Sequence, residues 1–172
     1  MEHRYGIFGS AEELNRAAAA QKDKGDLEAL AALALENGLD REDAEDYMAG
    51  ETDVLATPFL AAFGRLKTEA GELGTGGILS DWKDIIAGLC EEDGDMQAAV
   101  MDPSRSLKEC MARLIRFSFE NRVRVSDEIV KVTKVTRNGR EEALRGPLYM
   151  GVPNRAEVRK LARDYYLGRQ EA

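Results

Sequence analysis

The sequence predicts a mainly α fold: a compact helical domain carrying a small β-hairpin near its C-terminus, with α+β as the neighbouring class. Three observations lead there. Helix-start signatures recur along the chain, at "SAEE" from Ser10, at Asp26, at Asp40, at Thr57-Pro58 and at "NRAE" from Asn154. Apolar residues between those starts recur at three-and-four spacing, the period of a half-buried helix. One Asn-Gly pair, Asn138-Gly139, lies between β-branched runs and is a strong two-residue hairpin signal.

Each element follows from local chemistry. Ser10 is the N-cap of a first helix with Glu13 as its reciprocal partner, and "LNRAAAAQ" carries it to about Lys22, before Gly25. A second helix starts on Asp26 and stops at Gly38, with Leu27, Leu30, Ala31, Ala34 and Leu35 on one face. A third restarts at Asp40, with Asp43 three positions on. All three are too short to persist alone, so each must lean on a neighbour. Thr57 caps a fourth helix with Pro58 at its first position. Phe59, Leu60, Phe63, Leu66 and Ala70 form its expected buried stripe, and the glycines of "GELGTGG" end it.

Ser80 is the expected cap of the next helix, whose core face is Trp82, Ile85, Ile86 and Leu89. "EEDGDMQAAVMDPS" reads as an acidic, turn-rich connection to Pro103. The long helix in "SLKECMARLIRFSFENR" turns Leu107, Cys110, Met111, Leu114, Ile115 and Phe117 inward. In "VRVSDEIVKVTKVTRNGREEAL" the pattern changes to β-branched alternation. Ser126 could equally cap one more helical turn there, and both readings stand. The final helix begins at Asn154 with Glu157 as its capping partner, and Val158, Leu161, Ala162, Tyr165 and Tyr166 supply its apolar side.

A chain of 172 residues can build one hydrophobic core, or two small lobes. The charge is unevenly spread. Residues 1–102 hold 8 Lys plus Arg against 23 Asp plus Glu, whereas residues 103–172 hold 16 against 9. An overall charge of -8 thus conceals an acidic N-terminal lobe and a basic C-terminal one within a single domain spanning 1–172. Such asymmetry orients an encounter with a charged partner, or draws the two halves together. The start "MEHRYGIFGS" lacks the layout of a secretion signal, and no run reaches the length of a membrane span. With Cys90 and Cys110 the only thiols, a cytoplasmic protein with reduced cysteines is expected.

Catalytic patterns are sparse, and no enzyme, cofactor or metal is expected. His3 is the one histidine, which removes histidine-based triads and metal sites. Cys90 and Cys110 lack the spacing of a zinc knuckle or redox pair. "GTGG" lacks the lysine of a phosphate loop, and "EEDGD" lacks the ligand ladder of a calcium loop.

Binding is the remaining class. The acidic candidates are Glu42, Asp43, Glu45 and Asp46, with Glu91, Glu92, Asp93 and Asp95. The basic candidates are Arg113, Arg116, Arg122 and Arg124, continuing through Lys131, Lys134, Arg137, Arg140 and Arg145 to Arg155, Arg159, Lys160 and Arg163. Arginine at this density suits phosphates, but arginine also dominates protein interfaces, and protein binding is the favoured expectation over nucleic acid.

Three stretches carry a resemblance. They are "FGSAEELNRAAAAQKDKGDLEALAALALENGLDREDAEDY", "SFENRVRVSDEIVKVTKV" and "RGPLYMGVPNRAEVRKLARDYYLG". Together they resemble the PcfK-like proteins of conjugative and other mobile elements. Within that group the chain is most similar to the anti-CRISPR inhibitors of the type II RNA-guided DNA nuclease. The resemblance runs from Phe8 to Gly168 and implies a stoichiometric inhibitor without a catalytic centre. Its implied partner is the type II CRISPR effector nuclease, with or without its guide RNA. Two mechanisms follow: the acidic helices compete for the basic DNA channel, or the basic C-terminal surface docks on acidic protein or guide RNA. The alternative is an accessory protein of a conjugative element that binds DNA or the transfer machinery.

Overall fold

The structure, a computed structural model, describes residues 4–168 and is mainly helical. In chain order the elements are α1 (Ala11–Asp23), α2 (Leu27–Glu36), α3 (Arg41–Ala49), α4 (Pro58–Leu73), α5 (Ile78–Glu92), α6 (Gly94–Met101) and α7 (Leu107–Glu120). There follow β1 (Val123–Arg124), α8 (Asp127–Val132), β2 (Lys134–Arg137), β3 (Arg140–Ala143), β4 (Tyr149–Met150) and α9 (Arg155–Tyr166). Helices α4 and α5 lie at the centre: α4 packs on α1, α5, α6 and α7, while α5 also meets α7 and α9. Among the described residues no helix is long and apolar enough to cross a membrane.

The caps explain the starts. Ser10, Asp26, Thr57, Ser106 and Asn154 each accept a backbone N–H of their own first turn. The Asp43 carboxylate accepts from the Asp40 N–H at 2.8 Å, and Glu157 does the same for Asn154. Glu13 departs from the expected box: its carboxylate accepts from the N–H of Gly9, one residue before the cap.

Two starts differ from expectation. The fifth helix begins at Ile78 after Gly77, not at Ser80, because Gly77 takes a positive φ of 56° that closes the turn earlier. The "EEDGDMQAAVMDPS" stretch is not all turn but contains α6. Asp93 caps it, and Met96, Val100 and Met101 are buried. The acidic run supplies that cap and ends the preceding helix, and the apolar residues behind it suffice for two turns.

One core runs through both charge halves. Leu14, Leu30, Leu33, Leu66, Ile86 and Leu89 join Leu107, Leu114, Val158 and Tyr166 in a continuous cluster. The buried face of α4 is built from small residues, Ala61, Ala62 and Gly64, together with Leu66. Phe63 is exposed, and Phe59, Leu60 and Ala70 are only half-buried. Close approach is the reason: a Cβ on Gly64 would stand 2.2 Å from the Asn37 carbonyl oxygen, so the end of α2 rests directly on the α4 backbone. On α2, Leu33 takes the core position and Leu35 is exposed; on α7, Ile115 is exposed and Phe117 half-buried.

From Arg122 to Met150 the chain leaves this core. The segment forms an arm of two two-stranded antiparallel sheets, β1–β4 and β2–β3, with α8 between β1 and β2. Ser126 begins a helical turn, deciding that stretch in favour of α8. Val130 is the one buried side chain of the arm and lies outside the main cluster. The arm is rooted on α7 through Gly151, where a Cβ would stand 2.4 Å from the Ser118 carbonyl oxygen.

Candidate partner-binding surface

The charged groups fall into three places. On α3, Asp43 is engaged in the cap, and Glu45 is bound by Arg41, whose guanidinium also forks onto Glu28. Arg41 holds the Glu28 carboxylate below its usual range, by hydrogen bond first and charge second. Glu42 is exposed, and Asp46 is half-buried with its carbonyl turned to the Glu51 N–H. Half of this acidic set therefore serves the fold itself.

The second acidic cluster meets the terminal helix. Arg159 on α9 forks onto Glu92 at the end of α5, and the Arg163 Nη1 lies 3.5 Å from an Asp93 carboxylate oxygen. The hydrogen bond from Arg159 lowers the pKa of Glu92, with Arg163 and Arg155 adding favourable charge. Two sets that read as separate surfaces thus form one seam. Glu91 and Asp95 remain exposed beside it, and Lys160 turns back to Asp164 on its own helix.

The tyrosines of α9 explain why that helix seats where it does. Tyr165 Oη accepts from the Ser106 N–H and donates to a Glu109 carboxylate oxygen, both at 2.8 Å. Arg105 donates to the Tyr165 carbonyl, and the Arg113 guanidinium stands 5.0 Å from the ring centroid. Tyr166 is buried beside Cys90 and Cys110, and burial raises its pKa. Burial pushes both thiols up to about 12. Neither cysteine is disulfide-bonded.

The remaining basic candidates lie on α7 and the arm. Arg116 pairs with Glu120, Arg124 with Asp127, and Arg122 donates to the Phe119 carbonyl while covering its ring. The same stretch carries apolar side chains that the sequence pattern did not single out as exposed. Eight of the fourteen large apolar residues exposed among those described lie between Ile115 and Val152. Val123 faces Met150 across the β1–β4 ladder, and both are more than half exposed. Val132 at 79%, Val123 at 68% and Phe119 at 65% are the most exposed of the group. The available signal was "FSFENRVRV", where aromatic and β-branched residues alternate with charges.

Exposed apolar side chains interspersed with arginine are the residue types of a protein interface. Among the described residues no three His, Cys, Asp or Glu side chains gather to hold a metal ion. His3 lies outside the described residues. No protein-family model, curated protein or solved structure matches the chain.

Proposed function

We propose that this protein is a non-enzymatic inhibitor of a type II RNA-guided DNA nuclease, and that it grips its target with the arm and the adjoining end of α7. The observation that carries the reading is the exposure of apolar side chains along the end of α7 and the arm, at Phe119, Val123, Val132 and Met150. A monomer gains nothing from leaving such groups in water, whereas a partner that covers them gains burial energy. The nuclease as target comes from the resemblance of the three sequence stretches. The bacterial cytoplasm is the compartment in which that encounter takes place.

Of the two mechanisms, docking through the C-terminal surface is favoured. Competition by acidic helices requires free carboxylates, yet Asp43, Glu45, Glu92 and Asp93 are engaged by the protein's own groups. The test is capture of a guide-loaded type II nuclease by the purified protein, run beside a DNA-binding titration over salt. Wild type retains the nuclease and ignores bare DNA, and Phe119→Ser combined with Met150→Ser loses the capture. Salt-dependent affinity for bare DNA without nuclease capture would select the conjugation accessory protein instead.

A further inference from the structure

The β2–β3 hairpin holds its charges in an arrangement its own fold does not explain. Its register pairs Lys134 with Ala143, Val135 with Glu142, Thr136 with Glu141 and Arg137 with Arg140. Cross-strand partners share a face, and successive residues alternate faces. One face therefore carries Lys134, Thr136, Glu141 and Ala143 and neutralises itself through the Lys134–Glu141 pair at 3.3 Å. The other carries Val135, Arg137, Arg140 and Glu142. There two arginines stand directly opposite one another beside the two-residue turn, an arrangement that destabilises a ladder. Arg137, Arg140 and Arg145 are exposed, and none of their guanidinium groups has an ion-pair or hydrogen-bond partner among the described residues.

The backbone is open at the same place. The Leu144 N–H donates to the Thr133 carbonyl at 2.9 Å. Hydrogen-bonded and non-hydrogen-bonded pairs alternate along an antiparallel ladder. Lys134 and Thr136 consequently aim their peptide groups away from β3, along an edge with no neighbouring strand. A two-stranded hairpin is marginal by itself and gains from a third strand. The β2 edge carries Lys134 and Arg137 and no carboxylate, whereas β3 carries Glu141 and Glu142.

We propose that β2 accepts an extended, acidic segment of a protein partner as a third antiparallel or parallel strand. Its backbone would bond the outward peptide groups of Lys134 and Thr136, and its alternate carboxylates would reach Arg137 and Arg140 beside Val135. This is β-strand addition with charge setting the specificity. The inference rests on the reading of the arm as the gripping element. A protein segment is favoured over nucleic acid because the outward peptide groups of Lys134 and Thr136 match the backbone of a strand, which a nucleic acid lacks.

The test is a heteronuclear NMR titration of the full chain with a blocked peptide of alternating glutamate and valine, about eight residues long to match a typical strand. The expected result is slowed amide exchange at Lys134 and Thr136 with shifts along β2. Arg137→Glu should weaken binding at least about tenfold, while its new carboxylate faces Arg140 and favours the hairpin. No shift along β2, an equal response to a lysine–valine peptide, or a response to single-stranded RNA instead would overturn the proposal. Nuclease capture separates the two claims. If Arg137→Glu captures nuclease as wild type does, the strand-addition inference fails and the functional reading survives. If wild type binds the acidic peptide yet captures no nuclease, the functional reading fails alone.

Discussion

Arg159 and Glu92, 67 positions apart in sequence, face each other through two guanidinium nitrogens and both carboxylate oxygens. The pair ties the last helix to the end of α5, and Arg163 with Asp93 extends it. The opposition of an acidic and a basic half, visible in the bare charge count, is in part consumed inside the molecule at this seam.

The seam predicts a pH dependence with a definite sign. Glu92 has a folded-state pKa below its usual value, chiefly through its hydrogen bond from Arg159. The unfolded chain then takes up this proton at higher pH than the folded one, so the pair's contribution is complete above the ordinary glutamate range. It is lost as pH falls through the lowered value. Urea midpoints for wild type and Glu92→Gln, followed from about pH 7 to about pH 3, should converge toward the acid end. A constant gap between the two would overturn the assignment. Both side chains reach solvent, so added salt should narrow the gap at neutral pH.

Two glycines of α4 predict opposite outcomes. A methyl at Gly64 would meet the Asn37 carbonyl oxygen at 2.2 Å, whereas at Gly71 nothing lies within 4 Å. Gly64→Ala must push α2 off α4, at a cost of about 3 kcal/mol, near the upper end of ordinary overpacking. Gly71→Ala removes unfolded-state freedom and should stabilise by about 0.5–1 kcal/mol. Denaturant unfolding measures both, and equal effects would remove the helix-contact explanation.

Much of this fold is legible in the sequence because caps and hairpin turns are local codes. Ser10, Asp26, Thr57 and Asn154 are recognised by side-chain oxygen and spacing, and Asn138-Gly139 by its tolerance of positive φ, observed at 49° and 74°. What stays hidden is non-local. Periodicity places Leu35, Phe63 and Ile115 on apolar stripes, but which stripe is covered depends on the neighbouring helix. The small-residue face of α4 wins because Asn37 and Gly38 press against it. The candidate surface is hidden for the same reason. Phe119 and Val123 are as apolar as the core residues before them, and only the turn of the chain away from the core after Asn121 leaves them exposed.

The two thiols give a third prediction. Cys90 and Cys110 lie at 0% and 1% exposure, and burial pushes both up to about 12. The thiolate is the reacting form, so neither should react with a disulfide reagent at neutral pH until the chain unfolds. Reaction rates should track the unfolded population across a urea series, and fast modification in native buffer would contradict the packing. Unfolded thiols ionise near their ordinary value while the folded ones do not. Stability should accordingly decline as pH rises through the unfolded thiol range.

The root of the arm supplies the fourth prediction. Gly151 follows β4, and a Cβ there would stand 2.4 Å from the Ser118 carbonyl oxygen and 2.9 Å from that of Asn121. Those atoms belong to the last turn of α7 and its cap and cannot yield without fraying the helix end. Gly151→Ala should therefore loosen the arm while leaving the core, whose large side chains lie elsewhere, intact. Hydrogen exchange separates the two. The Val125 amide, bonded to the Leu148 carbonyl at 2.8 Å, should exchange faster, while the Leu30 amide in α2 should keep its protection. Nuclease capture should weaken with it, because the apolar pair Val123 and Met150 would lose its fixed position on the β1–β4 ladder. Equal loss of protection at both amides would make Gly151 a determinant of global stability. Unchanged exchange at both would mean that α7 accommodates the methyl, and the rigid rooting of the arm would have to be abandoned.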